Sequence, residues 1–374
     1  MSVSVRTRSA IVVTSWPGHR GAAELERLAA AGERPRDAYV ELARVLDADV
    51  IDSHYMAERA TPLARVIAGR VGMVQGQVAE VCLRQRRYRY IVAWADRLGL
   101  PLALLFKLSG SRRDTVLISV WLSRLKKAIF LTRFRVHTHL RAIVNYGSVQ
   151  MDIASGRLGV PREQLFLALQ PVDERFWSPQ PGAAPTENLI CSVGWEARDY
   201  RTLVEAVRGL DLGAELAVGS TVLSPSGDVS DQYKAMEHEI MGVGGLPPNV
   251  RLHRDLDQRA LRDLYARSLF FVVPLRDVDY DAGVTALTEA MSMGKAVIVT
   301  RTRGQVDLIE DGVQGLYVPP GDVGALRAAI ERLRNDPAGA ERMGRAGRAL
   351  VERQHTLDGY VQRLADIVRG SAVA

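Results

Sequence analysis

Residues 269–300 read LFFVVPLRDVDYDAGVTALTEAMSMGKAVIVT, and this stretch decides the fold. Residues 269–275 are an apolar run of buried-strand length, residues 296–300 are a second, and 285–293 predict a helix between them. Strands joined by a crossover helix run parallel, so the segment is one βαβ unit. Gly283 stands where the chain turns into the helix and lets the backbone approach a ligand closely. With Val284 and Thr285 it supplies the unpaired N–H groups of a helix first turn, which suit an anion such as a phosphate. Two carboxylates frame this turn, Asp281 in the loop and Glu289 inside the helix. Beside a phosphate they repel it unless they accept hydrogen bonds from sugar hydroxyls instead. A nucleotide sugar fits that arrangement.

The rest of the chain repeats the alternation of strand and helix. In the N-terminal half, 10–14, 49–52, 90–94, 102–106 and 116–120 predict strands, with helices at 24–30 and 38–46. Residues 188–208, NLICSVGWEARDYRTLVEAVR, read as a strand, a turn at Gly194 and a helix, and further helices are expected over 339–354 and 357–368. The expected class is α/β, with two Rossmann-like doubly wound domains facing a cleft. Ligands then lie at the carboxyl ends of both sheets. A length of 374 residues suits two domains: an N-terminal one over 1–178, a C-terminal one over 179–352, and a final helix, 353–374, crossing back to the first.

Charged residues at 25% and apolar ones at 47% describe an ordinary globular protein. No apolar run approaches the roughly 20 residues that span a bilayer, and the N-terminus enters a strand-like run without a signal-peptide core. The expected location is the cytoplasm. Cys82 and Cys191, the two cysteines, are too few for a metal site and read as small core residues.

The acidic pair carries a resemblance. Asp281 and Glu289, the latter followed by Ala290 and Met291, with Gly294-Lys295-Ala296-Val297 beyond, resemble the donor site of the family 4 glycosyltransferases. These are retaining enzymes of the GT-B fold whose motif is two glutamates separated by seven residues, then Ala-Met and Gly-x-Pro-Val. Here the first acid is an aspartate, and Gly283 follows it by two positions where the family has three. Residues 188–208 resemble the segment opening the family's C-terminal domain, with Arg198 at the position of its diphosphate-binding cation and Trp195 in place of a second arginine. Residues 249–261, NVRLHRDLDQRAL, are similar to the turn that cradles the base near Leu256. DGVQGLYVPPGD, 311–322, matches the family's DG..G.LV.PGD and places Asp322 to cap a helix. Gln170-Pro171-Val172-Asp173 and Phe176 resemble its interdomain crossover.

The resemblance implies sugar transfer from a nucleoside diphosphate sugar, a UDP-sugar by preference, to a hydroxyl acceptor, with no metal and no cofactor beyond that co-substrate. It assigns the donor sugar to Asp281, the ribose to Glu289, and the diphosphate to Arg198 with the turn Gly283, Val284 and Thr285. Gly194 and Leu256 complete the expected donor contacts. Histidines that the family carries in its catalytic cleft have no counterpart near Ser109-Gly110 or Val120-Trp121. Two other classes stay open: a nucleotide-sugar 2-epimerase on the same architecture, and a non-catalytic basic module binding membrane or nucleic acid on a transferase scaffold.

Several tempting motifs have plainer readings. Asp277-Val278-Asp279 imitates a metal-binding DxD, yet Asp47-Ala48-Asp49 and Asp255-Leu256-Asp257 share its spacing. Gly242, Gly244 and Gly245 precede Pro247-Pro248 and read as a connector, 223–231 as a surface loop, and 16–21, WPGHRG, as a turn. His54 reads as a solvated or core histidine. The net charge of +6 is concentrated in 84–89, RQRRYR, and in 124–141, where Arg124, Lys126, Lys127, Arg133, Arg135 and Arg141 interleave with Ile129, Phe130, Leu131 and Phe134. The second pattern resembles an interfacial amphipathic segment. It suits peripheral contact with the inner face of an anionic membrane and a lipid-linked acceptor, whereas a solvated basic face accounts for it without one; a small-molecule acceptor stays open, and nucleic acid is not the expected partner.

Overall fold

The structure, a computed structural model, describes residues 8–14, 20–179, 188–218, 231–241, 245–254 and 256–371. The chain divides into two compact units, Met1–Ala31 with Arg36–Leu169 and Asp358–Ala374, and Gly32–Pro35 with Gln170–Leu357. Among the described residues, no helix is long and apolar enough to cross a membrane. The turn at 16–19, most of the 223–231 loop, Gly242, Gly244 and Asp255 lie outside the described residues.

The first unit is built on β1 (Arg8–Val12), β2 (Ala48–Ile51), β3 (Tyr88–Ala93), β4 (Asp114–Ser119), β5 (Ala142–Asn145) and β6 (Leu165–Leu167). They form one parallel sheet in the order β2-β1-β3-β4-β5-β6. Buried Ile91, Val92, Val116, Leu117, Ile118, Ile143 and Val144 fill its middle, as expected of strands covered on both faces. Gln77, on the helix Met73–Arg84, donates from Nε2 to the carbonyls of Val13 and Ile51, both at 2.8 Å, and so satisfies backbone acceptors where β1 and β2 end.

The second unit contains β7 (Leu189–Val193), β8 (Gly213–Ala217), β9 (Val250–His253), β10 (Phe271–Val273), β11 (Val297–Thr300) and β12 (Gly315–Val318). Their order is β12-β11-β10-β7-β8-β9, and every pairing is parallel. The chain therefore starts at the centre, winds outward to β9, returns to β10 and winds the other way. The reversal falls between β7 and β10, and a doubly wound sheet opens its ligand crevice at such a point, beyond the carboxyl ends of the strands.

The predicted βαβ unit is present, with the helix spanning Val284–Ser292. The expected strand over 269–275 contracts to β10 because Pro274 has no N–H for the ladder. Leu275 N donates instead to Thr300 Oγ1 at 2.9 Å. Leu287, Ala290 and Met291 turn the helix's apolar face inward. The helix Pro337–Gln354 lies close behind, where a Cβ on Gly344 would fall 2.0 Å from the Gly294 carbonyl oxygen and one on Gly347 would fall 3.1 Å from Met291 Cγ. Arg348 Nη1 crosses the gap to the carbonyls of Trp177 and Ser292 at 3.0 and 2.7 Å.

One expected strand is a helix. Residues 102–106, LALLF, lie inside the helix Asp96–Leu108. An apolar run of five is compatible with either element, but this one is rich in leucine and lacks β-branched residues. Burial of Leu98, Leu102, Ala103 and Phe106, against exposure of Leu105 and Leu108, has the period of a helix. Asp322 caps the helix Val323–Asn335, accepting from Ala325 N at 2.8 Å. Cys82 and Cys191 are unbridged.

The close approach at Gly344 gives a stability prediction. Gly344→Ala sets a methyl against backbone atoms that a rotamer change cannot clear, so a loss of ~1–3 kcal/mol is expected in urea unfolding. An unchanged midpoint would show that the two helices are not held at this separation.

Candidate functional site

At the reversal point, the loop after β7 and the segment after β10 are laced together. Asp199 N donates to the Pro274 carbonyl at 3.0 Å and Arg276 N to the Ala197 carbonyl at 2.9 Å, with a bridge between Arg198 and Leu275. Gly194 N reaches across to the Ala217 carbonyl of β8 at 3.0 Å. The loop turns tightly through Gly194 at φ +102° and Ala197 at φ +54°, the latter a left-handed conformation seldom taken by a residue with a side chain.

This turn aims Arg198. Its guanidinium is buried, with Nε and Nη2 donating to the Val193 carbonyl at 3.0 and 2.8 Å and Nη1 to the Glu196 carbonyl at 2.9 Å. Each terminal nitrogen keeps a further N–H for a ligand. Both flanking glycines are required by this position. A Cβ on Gly194 would fall 2.5 Å from Arg198 Nη2, and one on Gly283 would fall 3.1 Å from Nη1 and 2.8 Å from Val273 Cγ1.

Gly283, at φ +80°, is the N-cap of the Val284–Ser292 helix and provides no side chain to cap it. The helix dipole and the guanidinium thus reinforce one another at a single place. Gly194, Arg198 and Gly283 are brought together here, with Val284 and Thr285 next in the chain; Val284 N is not the unpaired donor expected from the sequence, because the turn closes on itself and this N–H donates to the Asp281 carbonyl at 3.3 Å. Leu256 is half-buried beyond the carboxyl end of β9, immediately before Asp257, which caps the helix Gln258–Arg267 by accepting from Ala260 N at 2.8 Å.

The two acids differ in their partners. Glu289 Oε2 accepts from Tyr265 OH at 3.1 Å. Burial pushes its pKa up to about 8 against the opposing pull of the Tyr265 hydrogen bond and of Arg198. Asp281 is raised to about 6, chiefly by burial, with Asp307 and Glu196 adding repulsion. Its Oδ2 is buried without a hydrogen-bond partner, an acceptor left open. Asp277 is spent differently: it accepts from Arg303 N and Nε at 3.0 and 2.9 Å and so pins the loop after β11.

Supporting residues escaped the sequence reading. Tyr265, fully buried, holds Glu289; Tyr280 OH donates to Glu196 Oε1 at 3.1 Å; Gln305 Nε2 donates to the Ala282 carbonyl at 2.7 Å, fixing the backbone between Asp281 and Gly283. Their only sequence signal was polarity inside apolar surroundings, which names no partner across 84 positions of chain separation such as that from Glu196 to Tyr280.

Residues 190–336, which contain all these groups, match the family model described as Glycosyl transferases group 1. They form a group 1 glycosyltransferase domain. The chain is 28% identical over 131 residues to an alpha-D-kanosaminyltransferase of Streptomyces kanamyceticus, covering 35% of this chain and 33% of that protein. A sucrose synthase of Acidithiobacillus caldus is 30% identical over 168 residues, covering 42% of this chain and 20% of that protein. The match thus spans a third or less of each relative's length.

The fold as a whole is similar to sucrose-phosphate synthase from Thermosynechococcus elongatus, with a TM-score of 0.71 at 18% identity over 98% of this chain and 99% of that one. It is also similar to Anabaena HepE in complex with UDP and glucose, with a TM-score of 0.69 at 16% identity over 98% and 100% of the two chains. The architecture is GT-B, two Rossmann-like units each with a six-stranded parallel sheet.

The raised acid in the group 1 domain gives a pH prediction. A carboxyl whose pKa is higher folded than unfolded favours the folded state below its unfolded value, near 4.5, and loses that contribution as pH rises toward about 8. Between those limits the ligand-free protein should lose stability more steeply than Glu289→Gln, measured by urea unfolding across pH. Parallel curves would show that Glu289 ionises freely.

Proposed function

We propose that the protein is a retaining glycosyltransferase that moves a hexose from a nucleoside diphosphate sugar, a UDP-sugar, to a hydroxyl acceptor. The carrying observation is the juxtaposition of the Arg198 guanidinium with the uncapped helix N-terminus at Gly283, two positive elements meeting where the sheet reverses. That HepE was solved with UDP and glucose, and that part of the chain is similar to a kanosaminyltransferase and a sucrose synthase, supports a sugar nucleotide as the anion.

In this reading, Arg198 and the amides of Gly283 and Thr285 receive the charge that grows on the departing diphosphate, while Val284 N, which donates to the Asp281 carbonyl at 3.3 Å, holds the turn. Groups fixed before the reaction need no reorganisation when that charge appears, which is where electrostatic stabilisation is largest. Arg198 meets the requirement, since its three backbone contacts hold it in place without a ligand. Glu289, steadied by Tyr265, accepts from ribose hydroxyls; Asp281, through the open Oδ2, accepts from the donor sugar and orients it. The acceptor hydroxyl attacks the face from which the diphosphate leaves, and the leaving phosphate oxygen takes its proton. The bond from the anomeric carbon to the diphosphate breaks as the bond to the acceptor oxygen forms, so the anomeric configuration is kept.

The N-terminal unit, in the same reading, receives the acceptor in the cytoplasm. Leu125, Ile129 and Phe134 are 77%, 40% and 43% exposed beside exposed Arg124, Lys126 and Arg133. This surface suits the inner face of an anionic membrane and a lipid-linked acceptor. The amphipathic segment is shorter than 124–141, because only Leu125–Thr132 is α-helical and Lys127 turns inward to Asp96 Oδ2 at 2.7 Å.

Two experiments test these statements. With UDP-sugars as donors, Arg198→Ala should lower kcat/KM for transfer or donor hydrolysis by ~10²–10³-fold, and Glu289→Ala should nearly abolish both. Native activity in either variant, or sugar isomerisation with no acceptor consumed, would remove the transferase reading. For the membrane surface, Leu125→Asp with Ile129→Asp should abolish sedimentation with phosphatidylglycerol vesicles. Equal sedimentation of native and variant protein would contradict it.

A further inference from the structure

The excess positive charge collects at the end of the first sheet opposite its carboxyl edge. Arg89 is the second residue of β3; Arg112 and Arg113 lead into β4, which begins at Asp114; Arg141 immediately precedes β5. Two basic runs far apart in sequence, 84–89 and 124–141, are thereby joined with the Arg112-Arg113 pair. Together with Thr138, His139 and Leu140 these residues line a cavity of about 360 Å³.

The cavity has too little negative charge of its own. Asp114 is its sole carboxylate, and Arg141 Nη1 already engages it at 3.3 Å. Arg89 rests over the ring of Tyr90, 5.0 Å from its centroid, while Arg112 is exposed. Arg113 Nε is buried with no hydrogen-bond partner. A merely solvated arginine would keep that donor in water, and leaving it bare is costly. His139 reports the same field: burial foremost, then Arg112 and Lys107, lower its pKa. Thr138 Oγ1, 3.0 Å from His139 Nδ1, adds a hydroxyl at the rim. The end of the helix Leu357–Arg369 presses on Arg141, since a Cβ on Gly370 would fall 1.7 Å from its Nη2.

We propose that this cavity is a second anion site, built for a ligand with a phosphate group carrying at least two negative charges. Planar guanidinium forks fit phosphate oxygens in pairs, and three of these arginines have no carboxylate partner within the cavity lining. The site serves a ligand other than the reacting donor, because the donor diphosphate belongs to the reversal point of the second sheet. The phosphate can arrive free or on a lipid headgroup, and the test separates the two.

Inorganic pyrophosphate is titrated calorimetrically into Arg198→Gln protein, which silences the donor site, and into the same protein carrying Arg112→Gln and Arg113→Gln. The pair should weaken binding by about tenfold or more. Arg89→Gln, at an exposed position, should weaken it in the same direction, and thermal melts establish that each variant is folded. In parallel, the native protein and the Arg112→Gln, Arg113→Gln variant are sedimented with phosphatidylcholine vesicles containing phosphatidate. Arginine-dependent pyrophosphate binding identifies a free phosphate; arginine-dependent sedimentation without it identifies a headgroup. If neither ligand is bound, or if both bind equally well once the arginines are gone, the site does not exist.

Discussion

The site depends on one constraint: the Arg198 guanidinium is held by the carbonyls of Val193 and Glu196 between two glycines that have no room for a side chain. A long cation free in solution loses side-chain entropy whenever it grips a ligand. Here that loss is taken on folding. The position of the loop follows from the sheet, because the backbone bonds from Asp199 to Pro274 and from Arg276 to Ala197 can form only where β7 and β10 are neighbours. The order of winding thus fixes where the guanidinium and the helix end meet.

The acids obey the complementary rule. Burying carboxylates beside a cationic site would cancel its field if they ionised fully and faced the same atoms. Burial instead raises Asp281 to about 6 and Glu289 to about 8, so the unliganded pocket holds less negative charge than its formula suggests. Tyr265 satisfies one Glu289 oxygen, while Asp281 keeps an open acceptor. Hydroxyl groups complete such a pocket better than a second cation.

Much of this was legible in residues 269–300, because strand, turn glycine and helix are local features and each has its own period or backbone requirement. The two doubly wound units follow from repeating that reading along the chain. Residues 102–106 were misread since a five-residue leucine-rich run carries no period of its own; its helix is set by burial of one face. Tyr265, Tyr280 and Gln305 were invisible for another reason. Their roles are contacts between segments distant in sequence, and a tyrosine or glutamine in an apolar stretch does not say which carbonyl or carboxylate it will meet. The gathering of Arg89, Arg112, Arg113 and Arg141 is likewise a product of strand order, although each basic run was plain by itself.

Whether a guanidinium and a helix end share a diphosphate is decided by comparing ligands that differ only in that group. Calorimetric titration of uridine diphosphate and of uridine into native and Arg198→Gln protein gives four affinities. The substitution should weaken uridine diphosphate by about a hundredfold and leave uridine unchanged. Equal losses for both ligands, or no loss for either, would contradict it.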